Sequence, residues 1–467
     1  MLNAKKVWDK LSNSEKIVLS IILIFSLLRI AAVWLPTSYI WDEAAYIGMA
    51  QGLQRELPFG WIQSFHEVFF RAPLLVYGIY AFTLIFQNAE FAAKFFISVV
   101  SVLNIIAIYY AGKIVANKKV GLISAAILAT NPFNLLFSFK ILVENLFGFL
   151  VTMSLIFFFR SEQNKKYLLA FVFSLALAIY SRYSGILLVP AVFVALLVFR
   201  RDWLKEIFKN KYFYLATFLF VILLIPIING ARGQLNERSA LPSGHYLIYW
   251  IPLMGTVFPI SLYGIWKGIK DKKILFFLVI LFLLLIGHEL IATRLRYIVF
   301  LVPLFSVITA YGFVKIGKLR FANVLFLILL IANGVIGLIL VMNSTSPPLI
   351  NIPVSLKDPL GFGELNSEKY ESYRIAGLEL KEASSPDDIV LSDSCVFVNI
   401  YSERACYWFA NKDYLDPVKD LTSFINRTNV KWIYVVDKDA IKILSNFTLT
   451  KIYEDEFVRV YELMKRT

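Results

Sequence analysis

Up to about residue 342 the chain alternates long apolar runs with short basic clusters, and then its character changes. Runs of spanning or nearly spanning length lie at about 17–35, 91–111, 121–137, 142–159, 167–180, 184–199 and 212–229, then at about 251–266, 274–291, 297–314 and 321–342. Each reads as a transmembrane helix. The segment from Pro73 to Phe86 is apolar but only about 14 residues long, which suits a partial or tilted element better than a straight crossing. The total expected is therefore about eleven to thirteen helices.

Basic residues gather in alternate loops: Lys5 to Lys16, Lys113 to Lys119, Arg160 to Lys166, Arg200 to Lys211, Lys267 to Lys273 and Lys315 to Arg320. Because cytoplasmic loops of membrane proteins are enriched in Lys and Arg, these loops are expected inside, which places the N-terminus in the cytoplasm and the tail outside. The first run follows basic residues as a signal peptide would. Arg29 and Trp34 interrupt its end and no small-residue cleavage site follows, so it reads as a retained anchor. Arg29 and Lys94, near span ends, read as snorkelling side chains with their charged heads at the membrane surface.

Beyond residue 342, Pro347, Pro348 and Pro353 open a linker into polar sequence of mixed pattern, long enough for a small domain. Glu368 to Ala383 reads as a helix, and 389–391, 431–436 and 457–461 carry the β-branched and aromatic residues of strands. The fold class expected is a polytopic α-helical membrane protein, residues 1–342, with a small extracytoplasmic α/β domain, residues 343–467. Cys395 and Cys406 are equally compatible with a disulfide in that domain and with two buried small hydrophobes. Tyr407, Trp408 and Phe409 read as core aromatics of the domain.

Composition sharpens this picture. Of the residues, 58% are hydrophobic and 17% charged, outside the range of an ordinary soluble domain. The 47 Lys and Arg against 33 Asp and Glu give a net charge of +14. The tail from residue 343 carries 15 basic and 19 acidic residues, so the surplus belongs to the membrane region. Charges dispersed between apolar runs orient a membrane protein; they do not build the continuous basic face a nucleic acid needs. Two cysteines and three histidines exclude an iron–sulfur protein or a disulfide-stapled scaffold.

The informative charges are those on the outer side. The first external loop, about 36–72, holds Trp41-Asp42-Glu43-Ala44-Ala45-Tyr46, in which Ala45, Gly48, Met49, Gly52 and Leu53 form one helical stripe, as in an interfacial helix. Asp42 and Glu43 open that helix. The positive end of the dipole favours an ionised carboxylate there, suited either to a general base or to simple capping. Arg71, before Ala72-Pro73, offers a permanently charged fork to a phosphate, or is an interfacial arginine that snorkels to the membrane surface. Glu144 begins an apolar span, where a carboxylate gains nothing from lipid, and such residues usually have a partner or a task. Arg182 lies in an external turn, suited equally to an interface anchor and to a ligand contact. Arg294 and Arg296 occupy an external turn against the charge bias, and beside them His288 and Glu289, with His66 in the first loop, are weak candidates for a divalent metal.

Taken in order, Trp-Asp-Glu-Ala-Ala-Tyr, Arg71-Ala72-Pro73-Leu74, Pro132 with Glu144, Ser181-Arg182-Tyr183-Ser184-Gly185, and Arg296-Tyr297 with Pro303 resemble the GT-C superfamily of polyprenyl-phosphate-sugar-dependent glycosyltransferases, in particular the protein O-mannosyltransferases and the aminoarabinose transferases of lipid A. The resemblance covers about residues 1–340. It implies a polyprenyl-phosphate sugar donor, a lipid, glycan or protein acceptor, and inversion at the anomeric carbon. Asp42 would be the general base with Glu43 supporting it, Arg71 would stand where the family often has lysine, Glu144 would pair with that cation, and Arg296 would neutralise the departing phosphate. A lipid-linked sugar transporter or flippase and a non-catalytic membrane scaffold remain as alternatives. Isolated acids and arginines at the outer boundary, with no inverted repeat and no mid-bilayer acids, favour the transferase.

Overall fold

The computed structural model describes residues 11–56, 72–225, 251, 253–289, 295–316, 320–346, 348–350, 368–409, 421–428, 430–437 and 440–464. They fold as two compact units, Met1–Leu35 with Leu53–Met342, and Pro36–Gly52 with Asn343–Thr467. Residues Pro36–Gly52, read from the sequence as part of the membrane module's first loop, group with the tail.

The first unit is helical. Its elements are α1 (Asn13–Ala31), and, after α2 (Trp41–Glu56), which begins in the other unit, α3 (Leu74–Phe86), α4 (Ala89–Val115), α5 (Lys118–Thr130), α6 (Pro132–Phe137), α7 (Glu144–Arg160), α8 (Tyr167–Ser181), α9 (Leu188–Phe199), α10 (Arg201–Phe208), α11 (Lys211–Leu224), α12 (Phe258–Gly268), α13 (Lys272–Glu289), α14 (Val302–Ile316) and α15 (Arg320–Asn343). Among the described residues, Asn13–Trp34, Ala89–Val115, Arg296–Ile316 and Ala322–Asn343 are each long and apolar enough to cross a membrane, and the shorter apolar helices include the expected partial element α3. α10 and α11 meet at 78°, where Asn210 ends one helix and caps the next by accepting the Tyr212 N–H.

Helices in lipid gain little from apolar burial against one another and associate through close backbone packing at small residues. Two pairs show the device. A methyl group added to Gly112 of α4 would lie 2.8 Å from Gly121 Cα of α5, and one added to Gly312 of α14 would lie 2.6 Å from the Ile260 carbonyl oxygen of α12. Only a missing Cβ permits either approach.

Arg29 and Lys94 do not snorkel. Arg29 is wholly buried, donating from Nε to Ser101 Oγ (3.0 Å), from Nη1 to Ala129 O (3.0 Å) and from Nη2 to Leu128 O (3.1 Å) and Asn134 Oδ1 (2.8 Å). Two acceptors are the free carbonyls that end α5, so the guanidinium sits on the negative end of a helix. Lys94 is buried between Glu90 (2.8 Å) and the Leu35 carbonyl (3.0 Å). Polar partners inside the protein hold both charges where water would otherwise be needed.

The second unit contains a five-stranded sheet in the order β2-β1-β3-β5-β4. β1 (Ile389–Ser392) pairs in parallel with β2 (Ala405–Trp408) and with β3 (Val430–Val435); β5 (Arg459–Met464) is antiparallel to β3 and to β4 (Thr448–Glu454). One core joins Leu391, Phe409, Ile433, Val435, Leu444 and Leu463 with Ile425 of α17 (Leu421–Arg427), while α16 (Glu368–Ala383) buries Ala376 and Leu380. β1, β3 and β5 fall on or next to the expected strands. β2 and β4 were not expected: β2 has four residues, and β4 is largely exposed, with charged residues interrupting its alternation. Cys395 and Cys406 are bonded to each other. Phe409 is in the core as expected, whereas Tyr407 is exposed on the edge strand and packs edge-on against Phe424 (4.9 Å).

Candidate functional site

The sequence-predicted residues fall into three groups. Arg71, His66 and Arg294 lie outside the described residues, as does the side chain of Glu289. Asp42 and Glu43 belong to the second unit. Glu144, Arg182, His288 and Arg296 belong to the first, which brings them to one end of its helices.

In the first unit the order of turns creates the arrangement. α6 ends at Phe137, the chain crosses Lys140 and Ile141 without regular structure, and α7 starts on Glu144, placing its carboxylate in a helix first turn. Glu144 is 2% exposed, and its Oε1 accepts from Arg182 Nη1 at 3.4 Å. Arg182 leaves α8 in extended conformation and opens the 3₁₀ turn Tyr183–Leu187. Its guanidinium lies 4.2 Å from the centre of the Tyr297 ring. Arg296 lies 5.0 Å from the centre of the same ring and donates to the Tyr297 hydroxyl at 3.3 Å. One tyrosine thus carries two guanidiniums, and the Glu144 carboxylate bonds one of them.

His288 closes the same end. Its Nδ1 lies 2.9 Å from the Leu284 carbonyl, which can only accept, so Nδ1 carries the proton and Nε2 accepts from Ser184 Oγ at 2.9 Å. The ring packs on Phe300 at 4.5 Å and is buried. With both nitrogens engaged, His288 orients the Arg182 turn through Ser184 and has no lone pair for a metal. Among the described residues no three His, Cys, Asp or Glu side chains come together as a metal site.

Behind Glu144 runs a polarised chain of amides. Arg29 can only donate, so Asn134 presents Oδ1 to it and turns Nδ2 to Asn145 Oδ1 at 2.8 Å. Asn145 is the residue after Glu144, and the N-terminus of α7 is thereby tied to the buried arginine. Neither Arg29 nor Lys140, which is wholly buried four residues before Glu144, was singled out in the sequence as a site residue. The signal was available: each is a cation inside or beside an apolar run, the argument already applied to Glu144.

In the second unit Asp42 is half-buried in the first turn of α2 and Glu43 is wholly buried. Glu43 Oε2 accepts the Ile40 N–H at 3.1 Å, reaching back one turn to the residue that precedes the helix. The two acids therefore divide the roles left open in the sequence: Glu43 caps, and Asp42 is the one nearer solvent. The stripe of Ala45, Gly48, Met49, Gly52 and Leu53 is not the buried face. Ala44, Ala45, Tyr46, Ile47, Ala50 and Leu53 are buried, and Gly48, Met49 and Gly52 are half-exposed, so most of the circumference of α2 is packed and the helix does not float on a surface.

Residues 71–229 match the model of the dolichyl-phosphate-mannose-protein mannosyltransferase family. No curated protein is similar enough in sequence to count as a match. In fold the chain is similar to ArnT from Cupriavidus metallidurans, solved bound to undecaprenyl phosphate, with a TM-score of 0.71 at 12% identity over 96% of this chain and 97% of that one. It is also similar to the oligosaccharyltransferase AglB from Archaeoglobus fulgidus, solved with an inhibitory peptide and a dolichol-phosphate, with a TM-score of 0.54 at 13% identity over 90% of this chain and 69% of that one. In fold along nearly its whole length, and in sequence across residues 71–229, the chain resembles the GT-C membrane glycosyltransferases.

Proposed function

We infer that the protein is a multi-pass membrane glycosyltransferase that moves a sugar from a polyprenyl-phosphate donor to a lipid, glycan or protein acceptor on the outer face of the membrane. The observation that carries this reading is the pair of arginines held on Tyr297, one of them bonded to the buried carboxylate of Glu144, in a fold similar to ArnT solved with undecaprenyl phosphate and to AglB solved with a dolichol-phosphate. A phosphate monoester leaving group carries negative charge, and two guanidiniums beside it would stabilise it as it departs. Arg182 and Arg296 are assigned to that phosphate together with Arg71 and Arg294, and Glu144 keeps Arg182 in place. Lys140 is a further candidate.

The reaction is a displacement with inversion. The acceptor oxygen or nitrogen attacks the anomeric carbon, the bond from that carbon to the phosphate oxygen breaks, and the acceptor proton passes to Asp42. The products are the glycosylated acceptor and free polyprenyl phosphate. Asp42 is assigned as base because Glu43 is occupied in capping while Asp42 stands at the helix start with partial access to solvent.

The test is incubation of the purified protein with a panel of polyprenyl-phosphate sugars and an acceptor extract, following free polyprenyl phosphate. Asp42→Asn is expected to lower release by about a hundredfold or more. Donor that crosses vesicles without release of polyprenyl phosphate would instead identify a transporter.

A further inference from the structure

Pro36–Gly52 and Asn343–Thr467 are one compact unit, although about 290 residues separate them along the chain. The contacts between them are specific. The Tyr39 N–H donates to the Tyr401 hydroxyl at 2.9 Å, and the two rings stack with centres 6.3 Å apart and planes inclined by 17°. The Ser346 N–H donates to the Pro36 carbonyl at 3.0 Å. Tyr39 is 1% exposed and Tyr401 8%. The backbone three residues ahead of Asp42 is therefore gripped by the C-terminal domain, and Glu43 closes the turn between them by accepting the Ile40 N–H.

Tyr401 is itself braced on three sides. It lies in the π-helical turn Val398–Ser402, a rare conformation. That turn is inside the loop closed by the Cys395–Cys406 disulfide. Arg404, also in the loop and 6% exposed, donates to Ser402 O (3.0 Å) and to Lys381 O (2.9 Å) and Ser384 O (2.7 Å), which fastens the loop to the end of α16. On α16 the chain has Gly377 where a methyl group would come within 2.5 Å of Tyr401 Cβ. A ring held this firmly suits a fixed support better than a mobile contact.

We propose that Tyr401 is a positioning residue for catalysis: through its hydroxyl and ring the disulfide-braced domain fixes the turn that carries Asp42. The assignment rests on the reading of Asp42 as general base. It gives the C-terminal domain a part in turnover itself, and it makes activity sensitive to reduction of a disulfide that touches no substrate.

The experiment uses the full-length protein in detergent with three variants. Tyr401→Phe keeps the ring and removes only the hydroxyl. Cys395→Ser with Cys406→Ser removes the brace, and Tyr407→Ser, on the exposed edge strand, serves as control. Hydrogen exchange read by mass spectrometry reports the peptide covering 37–46, and release of polyprenyl phosphate reports kcat and KM. In Tyr401→Phe, exchange of the Tyr39 amide should accelerate about five- to tenfold and kcat should fall by a similar factor at unchanged donor KM, because the donor phosphate is held elsewhere. The double cysteine variant should shift both in the same direction, and Tyr407→Ser neither. Faster exchange with unaltered kcat, or unaltered exchange, overturns the inference while leaving the transferase reading intact. A wild-type protein that releases no polyprenyl phosphate overturns the transferase reading and the catalytic role of Tyr401 with it.

Discussion

Arg29 shows how one side chain can organise a membrane protein. Its five donors meet four acceptors, two of them the terminal carbonyls of α5, and no carboxylate is among these bonds. An apolar replacement strips the donors from carbonyls that cannot turn to water, so Arg29→Met is expected to lower stability by about 3 kcal/mol or more, read as thermal unfolding in detergent. Arg29→Lys should recover only part of the loss, since one ammonium cannot span the same acceptors. The amide chain through Asn134 and Asn145 carries the consequence to Glu144. For Arg182 itself, Lys keeps the charge but loses the planar face that lies on Tyr297, and the donor KM of Arg182→Lys is expected to rise about tenfold in the release assay.

At the scale of helices, packing depends on what is missing as much as on what is present. At the crossing of α12 and α14, a side chain on Gly312 would meet the Ile260 carbonyl and the Gly264 backbone, and backbone cannot yield as a side chain can. Gly312→Leu is therefore expected to abolish the folded, monodisperse species on size-exclusion chromatography of the detergent extract. Gly48 of α2 supplies the contrast. Nothing lies within 4 Å of a methyl group added there, so Gly48→Ala should be neutral or stabilise by up to about 1 kcal/mol through helix propensity. The two glycines cannot be told apart in sequence, because each lies in a helix; only the approach of a partner distinguishes them.

In the second unit, three carboxyls depart from their ordinary pKa in opposite directions. Asp393 follows β1 and accepts from Val436 N (2.9 Å) and Asp437 N (2.6 Å) at the end of β3. Burial outweighs these bonds and pushes its pKa up to about 6. Asp388 goes the other way: burial opposes ionisation, but Lys431 at 2.8 Å, the Trp432 indole at 2.9 Å and the Ser385 N–H outweigh it and hold the carboxyl below its usual value. Asp455 is held low in the same manner by Ser372, Phe457 N, Val458 N and the Tyr453 hydroxyl, against its own burial. The signs then separate. A carboxyl whose folded pKa is raised stabilises the fold at pH values below its unfolded pKa and loses that contribution as pH climbs through about 6; carboxyls held low lose theirs as pH falls below the ordinary carboxylate range. Stability of the domain should fall by on the order of 2 kcal/mol between pH 4 and pH 7 from Asp393, and Asp393→Asn should flatten that limb in thermal unfolding across the range while leaving the acid limb in place.

Much of this protein was legible from the order of its residues. Apolar runs separated by basic clusters specify a multi-pass helical membrane protein because lipid admits backbone only when its polar groups are satisfied within the helix, and the change of composition near residue 343 marks a domain solvated by water. Glu144 stood out because charge beside an apolar run is costly without a partner, and Arg296 because it opposes the charge bias expected of its turn. What the sequence could not decide was which partner each charge has. Arg29 and Lys94 obey the same pattern as a snorkelling side chain, and only neighbouring helix ends reveal them as buried. Glu43 and Asp42 are adjacent acids in one helix turn, told apart by a single hydrogen bond to Ile40. Tyr401 lies about 360 residues from the loop it grips, and no local period announces a contact closed over that distance; tertiary structure alone brings it there, since its reward is collected only after both segments have folded.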